Sequence, residues 1–268
     1  MIDHGKHNVL GVGIDAVDYA AAVAKIVDAA RDRRPLAVSA LAVHGVMTGA
    51  LNAAHRYRLN RLDLVCPDGQ PVRWALKLLH RIGLPDRVYG PQLMLDVCRE
   101  AAAQGLPIYL FGGDAELLTT LSDRLIAKFP GLKIAAARAS KFRKLTAEEW
   151  GELVADVRGS GARILFVGLG CPRQEVFVFE AREAMSIPTI AVGAAFSFHS
   201  GAASQAPPLM QRWGLEWLYR LVQEPRRLWR RYLLLNPAYL ALLALEKCGL
   251  HRIESERLEP PDSHLLYG

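Results

Sequence analysis

Short apolar runs alternate along the chain with longer amphipathic segments of helix length, the pattern of strand–helix units around a largely parallel sheet. Runs at 8–14, 36–43, 64–66, 107–111, 132–136, 163–167 and 188–192 predict the strands. Asp18 can cap a helix reaching about residue 30, and a second helix is expected to follow 43 and run to about residue 60. Another is predicted over 71–80. Asp114 can cap a helix ending at Phe129, before Pro130-Gly131. From about residue 206 the strand signals cease, and a helical segment rich in Arg, Trp and Leu runs to about residue 250. The expected organisation is an α/β core over 1–205, an appendage over 206–250 that the core can stand without, and a loose tail over 251–268 containing Pro260-Pro261.

Composition narrows the class. A chain of 268 residues with 51% hydrophobic and 22% charged residues is ordinary globular protein, which excludes a disordered tail, a collagen-like repeat and a small disulfide scaffold. The four Cys lie far apart, without the spacing of a zinc site or a disulfide framework, and a reducing cytoplasm is the simplest expectation. No signal peptide is expected at the N-terminus. The longest late apolar stretch, 232–245, has 14 uncharged residues interrupted by Asn236-Pro237, short of the roughly 20 a spanning helix needs.

The net charge of +6 is mild, but its distribution is not. Six Arg (Arg212, Arg220, Arg226, Arg227, Arg230 and Arg231) stand against two Glu between 206 and 235, together with Trp213, Trp217 and Trp229. Such a segment suits an anionic partner: a diphosphate, an anionic lipid or nucleic acid. On one continuous helix, Arg220, Arg227 and Arg230 share a stripe, while Trp213, Trp217, Leu221, Leu228 and Tyr232 supply apolar bulk. Arg on such a stripe fits diphosphate, and Trp with Arg fits a membrane interface. A solvated charged face is the alternative.

Each predicted strand ends in a turn rich in Gly, Asp or Pro, and in open α/β sheets ligands bind at those ends. Gly11-Val12-Gly13-Ile14-Asp15-Ala16 matches G-x-G-x-x-A, but the next strand lacks the acidic ribose partner, so a plain turn is expected. In Pro67-Asp68-Gly69, Asp68 points into the crevice as an exposed, ionised carboxylate able to act as general base, or it only braces its own turn. The segment 164–175 reads as strand, Gly-rich turn and helix. That is either an anion cradle of free N–H groups with Arg173 or Gln174 beside it, or a turn whose glycines allow close packing. Phe111-Gly112-Gly113-Asp114 lacks a basic residue and reads as a turn. The segment 193–208 is long for a connector, and His199 within it reads as structural. The P-loop, G-x-S-x-G, H-E-x-x-H and Asp-x-Asp signatures are missing from the sequence, which favours a mechanism without metal or cofactor.

Five blocks in order resemble the WecG/TagA/CpsF glycosyltransferases, glycosyltransferase family 26. They are Pro67-Asp68-Gly69-Gln70-Pro71-Val72-Arg73-Trp74-Ala75-Leu76, Arg87-Val88-Tyr89-Gly90-Pro91-Gln92-Leu93-Met94, Gly168-Leu169-Gly170-Cys171-Pro172-Arg173-Gln174-Glu175, Val192-Gly193-Ala194-Ala195-Phe196 and Gly214-Leu215-Glu216-Trp217-Leu218-Tyr219-Arg220-Leu221. The resemblance spans roughly 8–240. It implies a Rossmann-like α/β fold of the GT-E type, with a helical C-terminal appendage, in a bacterial enzyme at the cytoplasmic face of the membrane. It further implies inverting, metal-independent transfer of N-acetylmannosamine, its uronic acid or a related sugar from a UDP-sugar to a polyprenyl-diphosphate-linked acceptor.

By the same resemblance Asp68 falls on the proposed general base, Arg87 on a crevice arginine and Gln174 on a residue near the donor. Arg220, Arg227 and Arg230 fall on arginines of an appendage that closes over the diphosphate and touches the membrane. The family's Thr-x-Asn pair after the second strand has no counterpart in Ser39-Ala40-Leu41-Ala42-Val43-His44. His44 is a candidate replacement, and Gly170 a candidate substrate contact. The expected partners are both substrates and an anionic membrane surface, with no nucleic acid, and self-association is left open. The alternatives are a nucleotide-dependent oxidoreductase and a non-catalytic membrane or nucleic-acid binding module.

Overall fold

The computed structural model describes residues 1–255, 258–261 and 263–268, the side chain of Arg231 aside. An antiparallel hairpin, β1 (Asp3–Val9) and β2 (Val12–Val17), opens the chain. It leads into a six-stranded parallel sheet made of β3 (Leu36–Leu41), β4 (Leu64–Pro67), β5 (Ile108–Gly112), β6 (Ile134–Arg138), β7 (Ile164–Gly168) and β8 (Pro188–Ala191). Their order is β4-β3-β8-β7-β5-β6, flanked on both faces by helices, as expected of a Rossmann-like α/β fold. The strands are continuous apolar runs because both faces are covered. Leu165 and Val167 of β7 face one core with Tyr109, Phe111 and Leu41, whereas Ile164 and Phe166 face the other with Ile108, Leu110 and Val38.

The helices begin where local chemistry dictates. Asp18 caps α1 (Tyr19–Arg31) by accepting from Ala21 N–H, and Asp114 caps α6 (Ala115–Lys128) by accepting from Leu117 N–H, each at 2.8 Å. Thr146 and Glu149 form a capping box on α7 (Ala147–Gly159). The second predicted helix is two helices, α2 (Val43–Leu51) and α3 (Ala53–Asn60). At the break Asn52 is extended, at φ −131° and ψ 112°, and its side chain caps α3. Next come α4 (Gln70–His80), α5 (Gly90–Gln104), α8 (Arg173–Met185) and α9 (Ala195–Ser200), the last inside the expected 193–208 loop.

Three expectations need correction. The run 8–14 is not one strand but the hairpin turn: Leu10 and Gly11 both adopt positive φ, 52° and 82°, as two-residue hairpin turns require. The G-x-G-x-x-A match therefore runs along β2, with no helix N-terminus behind it to receive a pyrophosphate, and the dinucleotide reading loses its motif.

The appendage, α10 (Pro208–Arg212), α11 (Glu216–Gln223) and α12 (Pro225–Lys247), is also less separable than its composition suggests. Helix α12 packs on α2 and α4, Tyr239 and Leu243 are buried in the core, and Tyr239 Oη donates to Pro71 O at 3.1 Å. Removing everything from residue 206 onward would uncover that core face.

Nor is the described tail loose. Of the residues 251–268, Glu256, Arg257 and Asp262 lie outside the described residues. Leu265 and Leu266 N–H both donate to the buried Glu180 carboxylate at 2.8 Å, and Gly268 exchanges backbone hydrogen bonds with Arg143. Backbone polar groups decide here, because each found a long-range partner that sequence alone cannot foresee. At the other end of the fold, β2 lies against β4, and the buried Asp15 takes Val65 N–H at 2.7 Å with Lys6 at 3.6 Å.

Candidate active site

The carboxyl ends of β3, β4, β5, β7 and β8 open into a cleft that α11 and the start of α12 roof over. Its volume of about 520 Å³ falls within the roughly 300–1,000 Å³ of a small-molecule site. Asp68, Arg87, Gln174, Gly170, His44, Arg220 and Arg227 line it.

Arg230 does not line it. The chain leaves helical geometry at Glu224, at φ −131° and ψ 60°, so α11 and α12 have different axes and the stripe expected of one continuous helix is broken. Arg227 stays at the rim, paired with Glu224, while Arg230 is exposed and stacks on Trp229 at 5.2 Å. Arg173 also faces away, donating to Phe142 O at 3.2 Å, which leaves Gln174 as the inward member of that pair. His199 reaches Pro91 O at 2.9 Å with its Nε2, a bracing contact between α9 and α5.

Asp68 is held where the chain passes from β4 to α4. Its backbone N–H donates to Cys66 O, and its Oδ2 accepts Gly90 N–H from the first residue of α5 at 3.3 Å. Contrary to the expectation of an exposed, fully ionised carboxylate, it lies half-buried on the cleft floor, and its pKa is pushed up to about 7. Desolvation is the main cause and Glu216 adds to it, against the pull of Arg87, Gly90 N–H and Arg220. A carboxylate that titrates near neutrality is a stronger base than an ordinary aspartate and is still ionised often enough to act.

Gly90 makes that seat possible. A Cβ there would lie 3.0 Å from Val192 O, 3.2 Å from Ala40 Cβ and 3.4 Å from Asp68 Oδ2. Gly90→Ala is therefore expected to push the start of α5 off Val192 O and Ala40 by a few tenths of an ångström, loosen the Gly90 N–H bond to Asp68, cost about 1–3 kcal/mol by overpacking and slow turnover by up to about 10²-fold. A melting curve and a rate measurement check both.

The opposite wall is built on an amide. Gln174 is buried; its Oε1 accepts Gly193 N–H at 3.1 Å and its Nε2 donates to Glu175 Oε1 at 2.8 Å, so the amide can point only one way. Ser39 Oγ donates to the same Glu175 oxygen at 3.3 Å, and burial raises the Glu175 pKa. The Gly-rich turn serves close packing in part: Gly112, at φ 129°, would put a Cβ 2.6 Å from Gly168 O. Gln174 N–H donates to Gly170 O and Val176 N–H to Pro172 O, so the cradle of free N–H groups is narrower than expected. Gly170, at φ 77°, faces open space on the cleft side.

Several groups at the site had no role assigned from sequence. Glu175 is the buried partner that orients Gln174. Glu216 of α11 pairs with Arg87 at 2.8 Å and accepts from Tyr89 Oη at 2.8 Å, and Gln211 of α10 accepts from Arg87 at 3.1 Å. A glutamate in the first turn of a helix ordinarily signals only favourable helix-end charge, so nothing local marked Glu216. Among the described residues no three His, Cys, Asp or Glu side chains gather as metal ligands would, and no helix is long and apolar enough to cross a membrane. Groups drawn from residues 40 to 236 thus converge on one cleft. The sequence model of the Glycosyl transferase WecG/TagA/CpsF family matches residues 7–253, and the chain belongs to that glycosyltransferase family.

Proposed function

We propose that the protein transfers a sugar, N-acetylmannosamine or a relative, from a UDP-sugar to a polyprenyl-diphosphate-linked acceptor in the synthesis of a bacterial surface polymer, with inversion and without a metal. The observation that carries this reading is the meeting of a near-neutral carboxylate, Asp68, with the cleft-lining Arg87, Arg220 and Arg227 beneath one roof. Asp68 takes the proton of the attacking acceptor hydroxyl. The anomeric carbon forms its new bond on the face opposite the departing diphosphate, hence the inversion. Negative charge builds on the leaving group, and the guanidinium groups lining the cleft stabilise it. Gln174, its amide locked, orients the donor, with Gly170 and His44 as further contacts.

The lipid-linked acceptor gives the exposed apolar surface of α10–α12 a purpose. Leu209, Trp213, Val222, Leu233 and Leu240 are exposed there beside Arg212, Arg226 and Arg230, a composition suited to the surface of an anionic membrane at the cytoplasmic face. Incubation with a panel of UDP-sugars and a lipid-diphosphate acceptor, in the presence of a chelator, tests the reading. UDP release that depends on the acceptor supports it, and release that requires a divalent ion overturns its metal-free part.

A further inference from the structure

Arg87 lies between two carboxylates. Its charge acts on Asp68, yet its bonds go elsewhere: Nη1 to Glu216 at 2.8 Å, Nη2 to Gln211 at 3.1 Å, with the guanidinium stacked 4.2 Å over the Tyr89 ring. Tyr89 Oη donates to the same Glu216 carboxylate. Both acceptors belong to the appendage, whereas Arg87, Tyr89 and Asp68 belong to the core. The Arg87 and Glu216 side chains are only 8% and 14% exposed, so neither is an idle surface charge.

Taking Asp68 as the base, we propose that Glu216 is a positioning residue: docking of α11 sets its carboxylate on Arg87, holds that guanidinium off Asp68 and leaves Asp68 free to receive a proton. With α11 lifted away, Arg87 would lose the Glu216 carboxylate and keep the charge of Asp68, and a carboxylate paired with arginine is a weak base. The groups facing Asp68 from the packed elements are Cys66 of β4, Tyr19 of α1, Arg87 and Tyr89 of the loop before α5, Gly90 N–H, and Glu216 and Arg220 of α11. Of these, only Glu216 combines a negative charge with direct bonds to Arg87. Base strength and closure of the cleft are thereby coupled, so the open form lacks both the roof and the base that would let water consume the donor.

Glu216→Gln keeps the size and an oxygen for Tyr89 but removes the charge; Glu216→Asp keeps the charge. The measurement is the titration of the Asp68 carboxyl carbon by NMR in the full, ligand-free chain, its signal assigned by its loss in Asp68→Asn. Glu216→Gln is expected to lower the midpoint by about one pH unit, the smaller end of the range for a neighbouring charge, and Glu216→Asp to restore it. A Glu216→Gln midpoint equal to that of the parent overturns the proposal. So does a Glu216→Asp midpoint matching Glu216→Gln, because fit rather than charge would then be responsible. Sugar transfer by the same proteins separates the two readings: a folded Asp68→Asn that still transfers removes the base, while an unmoved midpoint removes only the role of Glu216.

Discussion

Asp68→Asn is expected to lose about 10²–10⁴-fold in transfer rate while melting at a higher temperature than the parent above pH 7. The rate falls because the amide cannot accept the acceptor's proton. The stability rises because the folded chain holds the Asp68 proton far more tightly than the unfolded chain, about 7 against 3.8. With that sign, the contribution of the proton to stability is complete below pH 3.8, is lost as pH rises through 7, and leaves an ill-solvated carboxylate above it. A shift of this size corresponds to about 4 kcal/mol, which water entering the cleft reduces to the order of 1–2 kcal/mol. The melting temperature should rise by roughly 2–6 °C at pH 8, with no difference near pH 3.5. The parent's transfer rate should climb with pH through about 7 and then level. A flat profile, or a folded Asp68→Asn with near-parent rate, would reject the assignment.

Gln174→Leu should lose both properties together. Leucine fills the space but leaves Gly193 N–H without an acceptor and Glu175 without its amide donor, each at about 1–3 kcal/mol. The expected loss of about 2–5 kcal/mol lowers the melting temperature by roughly 5–15 °C. Transfer weakens as well, since the inward amide is gone. Calorimetry and a rate assay on one preparation decide the matter: a stable Gln174→Leu with parental activity would mean the amide neither braces Glu175 nor meets the donor. The opposite stability changes of the two variants distinguish a residue kept for chemistry at the expense of the fold from one that serves both.

Much of the frame was legible in the chain. Asp18 and Asp114 announced their helices because capping is local, and buried strands announced themselves by apolar runs. The place of Asp68 at the cleft was legible because a Pro-Asp-Gly turn after a strand leaves few places for its side chain. What stayed hidden depended on partners distant in sequence. Arg230 was misplaced for a local reason instead: Glu224, held out of helix by Pro225 after it, turns the axis, a break that periodicity across 220–230 does not register. Glu216 was invisible because its partners Arg87 and Tyr89 are more than a hundred residues earlier in the chain. The tail looked loose because Pro260-Pro261 say nothing about a carboxylate waiting at Glu180. The raised proton affinity of Asp68 likewise comes first from its burial in the folded cleft, with Glu216 adding to it, and no motif encodes either.

The bond from Asp15 to Val65 N–H has a wider effect. Strand β4 ends the sheet on its side, and such a border normally offers backbone donors to any passing extended segment. Here a side chain has already claimed a donor and the hairpin lies across the approach, so the sheet cannot lengthen at this edge by recruiting a strand from another molecule. Strand-to-strand pairing of copies, and with it the risk of stacking into fibres, is thereby removed from this border, and β6 is left as the sheet's other edge.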